Sequence, residues 1–100
     1  MFTLEQINKI DKSYFRIIGS NQFSITLQSK NTGHEWHILA SDFRSASLCI
    51  VEHRHNHADS FHFHGRYPSL LITIENIQNH DTWFINKTIL HQKQILKNRK

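Results

Sequence analysis

The residues of this chain with the clearest chemistry are five histidines that lie within twelve positions. They are His53, His55, His57, His62 and His64. A neutral imidazole is a common zinc ligand, and two histidines separated by one residue on a strand place both rings on the same side. An imidazole from a neighbouring strand can add a third ligand. The spacing therefore predicts a metal centre, with zinc as the expected ion and nickel or copper as alternatives.

These histidines fit a β-hairpin whose turn is Ala58-Asp59-Ser60. In that register His55 lies opposite His62. His53 then lies opposite His64, and the Cβ atoms of each pair are about 4.5–5.5 Å apart. The other face of the same hairpin carries two phenylalanines, at positions 61 and 63, which favour a hydrophobic core. The pattern therefore predicts a ladder of imidazoles at the surface or in a shallow site.

The predicted metal ligands are His53, His55, His62 and His64. Four further donors remain open as members of the site: Cys49, His57, His80 and Asp81. Two other interpretations compete with a metal site. The histidines can simply decorate an exposed sheet face, or two of them can act as general acid and base on a phosphodiester, as in small ribonuclease toxins. The sequence contains no C-x-x-C or H-E-x-x-H motif to decide between these interpretations.

The positive charge of the chain is concentrated at its C-terminal end. The net charge is +4, and residues 87–100 hold five of the twelve basic residues and none of the eight acidic ones. Residues 1–86 therefore carry seven basic and eight acidic side chains, a net of −1. We predict one domain over residues 1–86 and a basic C-terminal helix or tail over residues 87–100. A near-neutral body binds a phosphate backbone poorly, so weak, non-specific nucleic-acid binding is expected only through the tail.

The N-terminal residues predict a short helix. Leu4, Ile7 and Ile10 follow helical spacing, and Thr3 is a suitable cap. From Tyr14 the apolar period changes to two, which predicts half-buried strands joined across residues 19–21. The predicted core face comprises Phe15, Ile17, Phe23, Ile25, Leu27, Trp36 and Ile38.

A second hairpin is predicted to turn at Asn31-Thr32-Gly33-His34. Charge and apolar pattern agree on one register for it. The expected pairs are Lys30 with Glu35, Ser29 with Trp36 and Leu27 with Ile38. A fourth strand over residues 47–53 leads into the histidine hairpin.

Residues 67–77 predict a helix that covers the sheet, with Pro68 at its first position, although β-branched residues leave a strand as the alternative. Residues 80–86 are ambiguous, and residues 87–97 suit a basic helix. The predicted fold class is α+β: a short N-terminal helix, an antiparallel sheet of about five strands, and a C-terminal helix with a basic tail.

The chain shows no apolar run long enough to span a bilayer and no signal peptide, so no membrane association is expected. Its single cysteine, Cys49, cannot form an intramolecular disulfide, which agrees with a reducing compartment. We therefore expect a cytoplasmic protein.

The small size, the composition and the cluster from His53 to His64 together resemble those of proteins that phages and mobile elements make to disable host machinery. Among these, the chain resembles in kind the metal-containing anti-CRISPR inhibitors of RNA-guided nucleases. That resemblance implies a protein that binds and blocks a protein partner such as a nucleic-acid-processing enzyme. The expected function is a zinc-binding, non-enzymatic inhibitor, and the alternative is a histidine-dependent ribonuclease.

Overall fold

A computed structural model describes residues 1–42 and 45–98 of the chain. In chain order the elements are α1 (Leu4–Asn8), β1 (Phe15–Ser20), β2 (Ser24–Ser29), β3 (Glu35–Asp42), β4 (Ser45–Arg54), β5 (His62–Tyr67) and α2 (Leu70–Asn98). Neighbouring strands are antiparallel, and the strand order β1-β2-β3-β4-β5 follows the chain. The predicted α+β fold class, with a short first helix, a five-stranded antiparallel sheet and a C-terminal helix, is confirmed.

The core lies between one face of the sheet and α2, and the period-two pattern of the sequence supplies most of it. Five residues of the predicted core face are buried: Phe15, Ile25, Leu27, Trp36 and Ile38. Ile17 is half-buried. Phe23 is 42% exposed, so its assignment to the core is wrong. It lies in the turn between β1 and β2, where the Asn21 side chain accepts hydrogen bonds from the backbone N–H groups of Phe23 and Ser24.

The register of the β2–β3 hairpin differs from the predicted one by two residues. Leu27 pairs with Trp36 instead of Ile38, because the turn is longer than the sequence pattern indicates. The Ser29 N–H donates to the His34 carbonyl at 2.9 Å, and the Gly33 N–H donates to the Ser29 carbonyl at 2.8 Å. Gly33 has a φ of 77°, a left-handed conformation that glycine adopts without strain. A shift of two residues keeps each side chain on its predicted face, so the core is preserved.

Helix α2 places one row of side chains against the sheet. The helix begins at Leu70, with the Ser69 hydroxyl accepting from the Ile72 N–H, so Pro68 precedes the helix and does not start it. Buried residues then recur every three or four positions: Leu70, Thr73, Ile77 and Asp81. The helix prediction for residues 67–77 is confirmed in type, and the ambiguous segment 80–86 belongs to the same helix.

The second half of α2 extends away from the sheet. A helix of 29 residues is about 43 Å long, and the molecule measures 60 Å along its longest axis. Every residue from Asn86 to Ile95 is exposed, including Ile89 and Leu90.

The predicted division of the chain at residue 86 stays a prediction. Positions 99 and 100 of the basic tail lie outside the described residues. No helix in the described part of the chain is both long and apolar enough to cross a membrane.

The exposed basic half of α2 leads to a prediction about nucleic-acid binding. A variant that ends at Asn86 loses five basic residues, so non-specific binding that depends on counterion release should largely disappear. Electrophoretic mobility shifts of DNA and RNA at low salt would measure this loss. The matched control is a full-length variant with Lys87, Lys93 and Lys97 changed to glutamine, which should lose most of the same binding. Undiminished binding by either variant would place the interaction on the sheet instead.

Candidate metal centre

The β4–β5 hairpin presents the histidines in a different register from the predicted one. His53 pairs with His62 instead of His64, and His55 lies beyond the end of β4. The turn starts early because the Asn56 side chain accepts from the Ala58 N–H and donates to the Asp59 carboxylate. A bulge between Val51 and Glu52 on β4 then leaves His64 as an extra residue on β5. His62 and His64 are two residues apart on β5, so both lie on the same side of the sheet, with their rings near His53.

The two faces of this hairpin are reversed from their predicted positions. His53 is only 2% exposed, and its ring stacks on Trp36 with centroids 3.9 Å apart. Phe63 is 61% exposed on the open face of the sheet, where it shares a register position with Glu52. Phe61 is half-buried, but its ring packs under the guanidinium of Arg54 at 4.1 Å, outside the main core. The imidazoles, not the phenyl rings, therefore fill the space under α2.

The reversed faces predict unequal costs of two substitutions. Phe63→Ala should change the free energy of unfolding by no more than about 0.5 kcal/mol, because surface positions contribute little. Ile38→Ala removes a fully buried side chain from the neighbouring core and should cost about 2–5 kcal/mol. Urea denaturation of the metal-free proteins measures both. If Phe63→Ala costs nearly as much as Ile38→Ala, the Phe63 side chain lies in the core and the prediction is wrong.

Five histidines from four parts of the fold gather around the ring of His53. The five neighbours of His53 have ring centroids 5.0–5.6 Å from it: His34, His55, His62, His64 and His80. His34 comes from the turn before β3, and His80 comes from α2. The sheet and the helix together therefore build one imidazole cluster.

Three members of this cluster lie close enough together to hold a metal ion. One nitrogen from each of His34, His53 and His55 can be chosen so that all three lie within 4.8 Å of one another. His34 Nδ1 and His53 Nε2 are 3.2 Å apart. Zinc–nitrogen bonds of 2.0–2.1 Å at a tetrahedral angle imply a nitrogen–nitrogen distance of about 3.3 Å. The two nitrogens are at hydrogen-bond distance, and this distance is also close to the spacing of two ligands on one zinc ion.

Of the four predicted ligands, this geometry brings two into the group of three and leaves two outside it. His53 and His55 belong to the group of three, together with His34, which the sequence pattern assigned only to a turn. His62 is exposed at the start of β5, next to His53. His64 packs against Trp36 and His80, with ring centroids 5.0 Å from each. The assignment of His62 and His64 as ligands stays a prediction.

The other open donors lie in distinct settings. Cys49 is buried on β4 four residues before His53, where burial raises the pKa of its thiol despite a hydrogen bond with Thr73. His57 is exposed in the loop after β4 and contacts Glu35 and Arg54. His80 belongs to the cluster around His53, and its neighbour Asp81 faces the turn that carries His34.

Burial keeps the central imidazoles neutral. It lowers the pKa of His53 to about 3, and the neighbouring histidines add to the effect. Burial also lowers the pKa values of His34, His64 and His80, while the Asp81 carboxylate opposes this for His34 and His80. A neutral imidazole offers the lone pair that a metal requires. The cluster is therefore ready to bind a cation at neutral pH without first losing protons.

An ion pair on the open face of the sheet anchors the loop that carries His55. The Arg54 Nε donates to the buried carboxylate of Glu35 at 2.9 Å, and its Nη1 donates to the Asp59 carbonyl at 3.2 Å. Burial acts to raise the pKa of Glu35, but the hydrogen bonds from Arg54 and His57 outweigh it and hold the pKa below its usual value. Arg54 thus ties the middle of the loop, at Asp59, to the end of β4 and to Glu35 at the start of β3.

Comparison of the chain with protein families, with curated proteins and with solved structures finds no match in any of the three. The arguments about function that follow therefore depend on the site itself.

Proposed function

We propose that this protein is a zinc-binding interaction protein that inhibits a protein partner by stoichiometric binding. The observation that carries the zinc proposal is the group formed by His34, His53 and His55, whose two buried members have a tetrahedral nitrogen–nitrogen spacing. His62, which pairs with His53 on the neighbouring strand, is the proposed fourth ligand; it lies outside the group of three and would have to turn towards it when the metal binds. Zinc bound in this way would tie the turn before β3 to the loop after β4.

The donor set favours zinc over other ions. Neutral imidazoles suit zinc, copper and nickel, whereas calcium and magnesium prefer oxygen ligands. His55 is exposed and so gives the metal a route in from solvent. Because zinc takes a tetrahedral site without a preference for planarity, ligands from a turn, a strand and a loop can meet around it.

The partner proposal is supported by apolar side chains that the fold leaves exposed. Phe63 and Leu48 lie on the two strands at one edge of the sheet, and Trp83 and Leu90 lie on α2. Interfaces are enriched in aromatic residues, and a folded protein that exposes several of them has surface available for a partner. The resemblance to inhibitors of RNA-guided nucleases suggests a nucleic-acid-processing enzyme as that partner.

Metal analysis of protein purified without a histidine tag or a nickel column tests the zinc proposal. We expect about one zinc ion per chain for the wild type, and its loss in His55→Ala. The matched control is His57→Ala, which removes another exposed imidazole two residues away and should leave the zinc content unchanged. A wild-type protein without bound transition metal that also binds no added zinc would overturn the proposal.

A histidine-dependent ribonuclease is the second candidate, because His55 and His62 are exposed imidazoles at the edge of the cluster and histidine is the most frequent general acid–base residue. We expect the pure protein to cleave neither RNA nor DNA, with or without added zinc, magnesium or manganese, and any inhibition to saturate near one copy per target. The ribonuclease proposal would replace the inhibitor proposal if the wild type cleaves RNA with multiple turnovers. This cleavage would have to be lost in His55→Ala and His62→Ala while circular dichroism shows that both variants are folded.

A further inference from the structure

Asp81 is a fully buried carboxylate on the sheet-facing side of α2. Its Oδ2 accepts a hydrogen bond from the Tyr14 hydroxyl at 2.8 Å, and its Oδ1 accepts one from the Thr32 hydroxyl at 3.2 Å. Within residues 1–42 and 45–98, the ion pairs of lysine, arginine and histidine do not include Asp81. Buried charges in proteins are normally paired with an opposite charge or placed near a metal ion.

A chain of two hydrogen bonds connects this carboxylate to a proposed metal ligand. The Thr32 hydroxyl that donates to Asp81 accepts in turn from the backbone N–H of His34 at 3.2 Å. The Tyr14 hydroxyl makes a parallel connection, because it accepts from the Asn31 side chain at 3.2 Å. The helix therefore holds both ends of the turn from Asn31 to His34 through one carboxylate group.

We propose that Asp81 is a positioning residue for the zinc site: it fixes the turn that presents His34 to the metal, and its negative charge offsets part of the charge of the ion. This inference rests on the proposed zinc-binding function. Asp81 is not assigned as a ligand, since both of its oxygens accept hydroxyl hydrogen bonds and it lies outside the group of three histidines.

Charge balance supports the role. Three neutral imidazoles contribute no charge, so zinc brings two positive charges to a site with two buried ligands. A carboxylate close behind one of those ligands lowers the cost of placing that charge away from water. Residues that do not bind the metal but hold its ligands in place by hydrogen bonds typically contribute 10–100-fold to metal affinity.

The test measures zinc affinity by competition with a chromogenic chelator for the full chain and three variants. Asp81→Asn keeps a side chain of the same shape and removes the charge. Thr32→Val removes the hydroxyl that links Asp81 to His34, and Thr32→Ser restores it. We expect Asp81→Asn and Thr32→Val each to weaken zinc binding about 10–100-fold, and Thr32→Ser to bind within about threefold of the wild type.

The control for a general loss of stability is Ile25→Val, which shortens a fully buried side chain on β2. It should lower the melting temperature of the metal-free protein without weakening zinc binding. Cobalt in place of zinc adds a spectroscopic readout, because the visible absorption bands should keep their positions in Asp81→Asn and change in His34→Ala, which removes a ligand.

The outcomes separate the two proposals. If the wild type binds zinc and Asp81→Asn binds it equally tightly, the positioning role is overturned while the zinc site stands. If Thr32→Val and Thr32→Ser bind zinc with equal affinity, the hydrogen-bond link from Asp81 through Thr32 to His34 does not contribute to zinc binding. This result overturns the positioning role even if Asp81→Asn fails to fold. If the wild type binds no zinc, the metal function itself fails, and the role of Asp81 fails with it.

Discussion

Removing the metal should lower the melting temperature of this protein by about 10–20 °C. An ion present at 100 times its dissociation constant stabilises the folded state by about 2.7 kcal/mol, and each kcal/mol shifts the melting temperature of a domain of this size by about 4–8 °C. The physical reason is that the proposed zinc ion would bind the folded arrangement of His34, His53 and His55, which are 21 residues apart in sequence at most and are not assembled in the unfolded chain. Thermal unfolding followed by circular dichroism, with zinc and then with excess chelator, measures the shift.

Two exposed histidines of the same loop provide the control for this experiment. His55→Ala should melt at the same temperature with zinc or with chelator, close to the metal-free wild type. His57→Ala, which changes an imidazole outside the group of three, should retain the full shift. A wild-type melting temperature that does not respond to zinc or chelator would show that the cluster is a purely structural core of imidazoles.

Acidification should destabilise the metal-free protein between pH 6.5 and 5. Burial lowers the pKa of His53 from 6.5 to about 3, so below pH 6.5 the unfolded chain takes up a proton that the folded protein does not. Stability is therefore complete above pH 6.5 and falls by up to about 1.4 kcal/mol per pH unit for one such histidine. The lowered pKa values of His34, His64 and His80 add losses of the same sign.

Urea unfolding of the chelator-treated protein at several pH values measures this slope. The control variant is His53→Phe, which retains an aromatic ring against Trp36 and removes the central titrating group, so its slope should be shallower. The pKa of the Glu35 carboxyl is lowered, so Glu35 contributes a loss of the same sign only as the pH falls towards the usual glutamate pKa, at the lower edge of this range. A metal-free protein whose stability is constant or rises on acidification would contradict the buried, neutral state of His53.

The sequence pattern predicted the faces of β2 and β3 better than their pairing. Alternation placed Leu27, Trp36 and Ile38 on the core face correctly, since this depends only on parity along each strand. Both predicted hairpin registers were two residues away from the observed ones. Register depends on hydrogen bonds inside the turns, such as those of Gly33 and Asn56, which hydrophobic pattern does not encode.

The candidate site was found from sequence only in part. His53 and His55 are separated by one residue, so their spacing alone suggested that they act together. His34 and His80 joined the cluster through the β3–β4 pairing and the docking of α2, and neither relation is visible from local spacing. A weaker signal existed for His80, because it is three residues after the buried Ile77 and next to the buried Asp81 on α2.

The sequence by itself determined the α+β class, the Thr3 cap of the first helix and a histidine-rich hairpin, because each depends on periodicity or residue type over a few neighbouring positions. Only the tertiary structure decided that histidines rather than phenylalanines occupy the buried face of that hairpin. Phenylalanine buries more apolar surface than histidine, so a rule based on side-chain transfer alone favours Phe63. The opposite outcome arises because Trp36 stacks on His53, and α2 closes over the cluster from a position far along the chain.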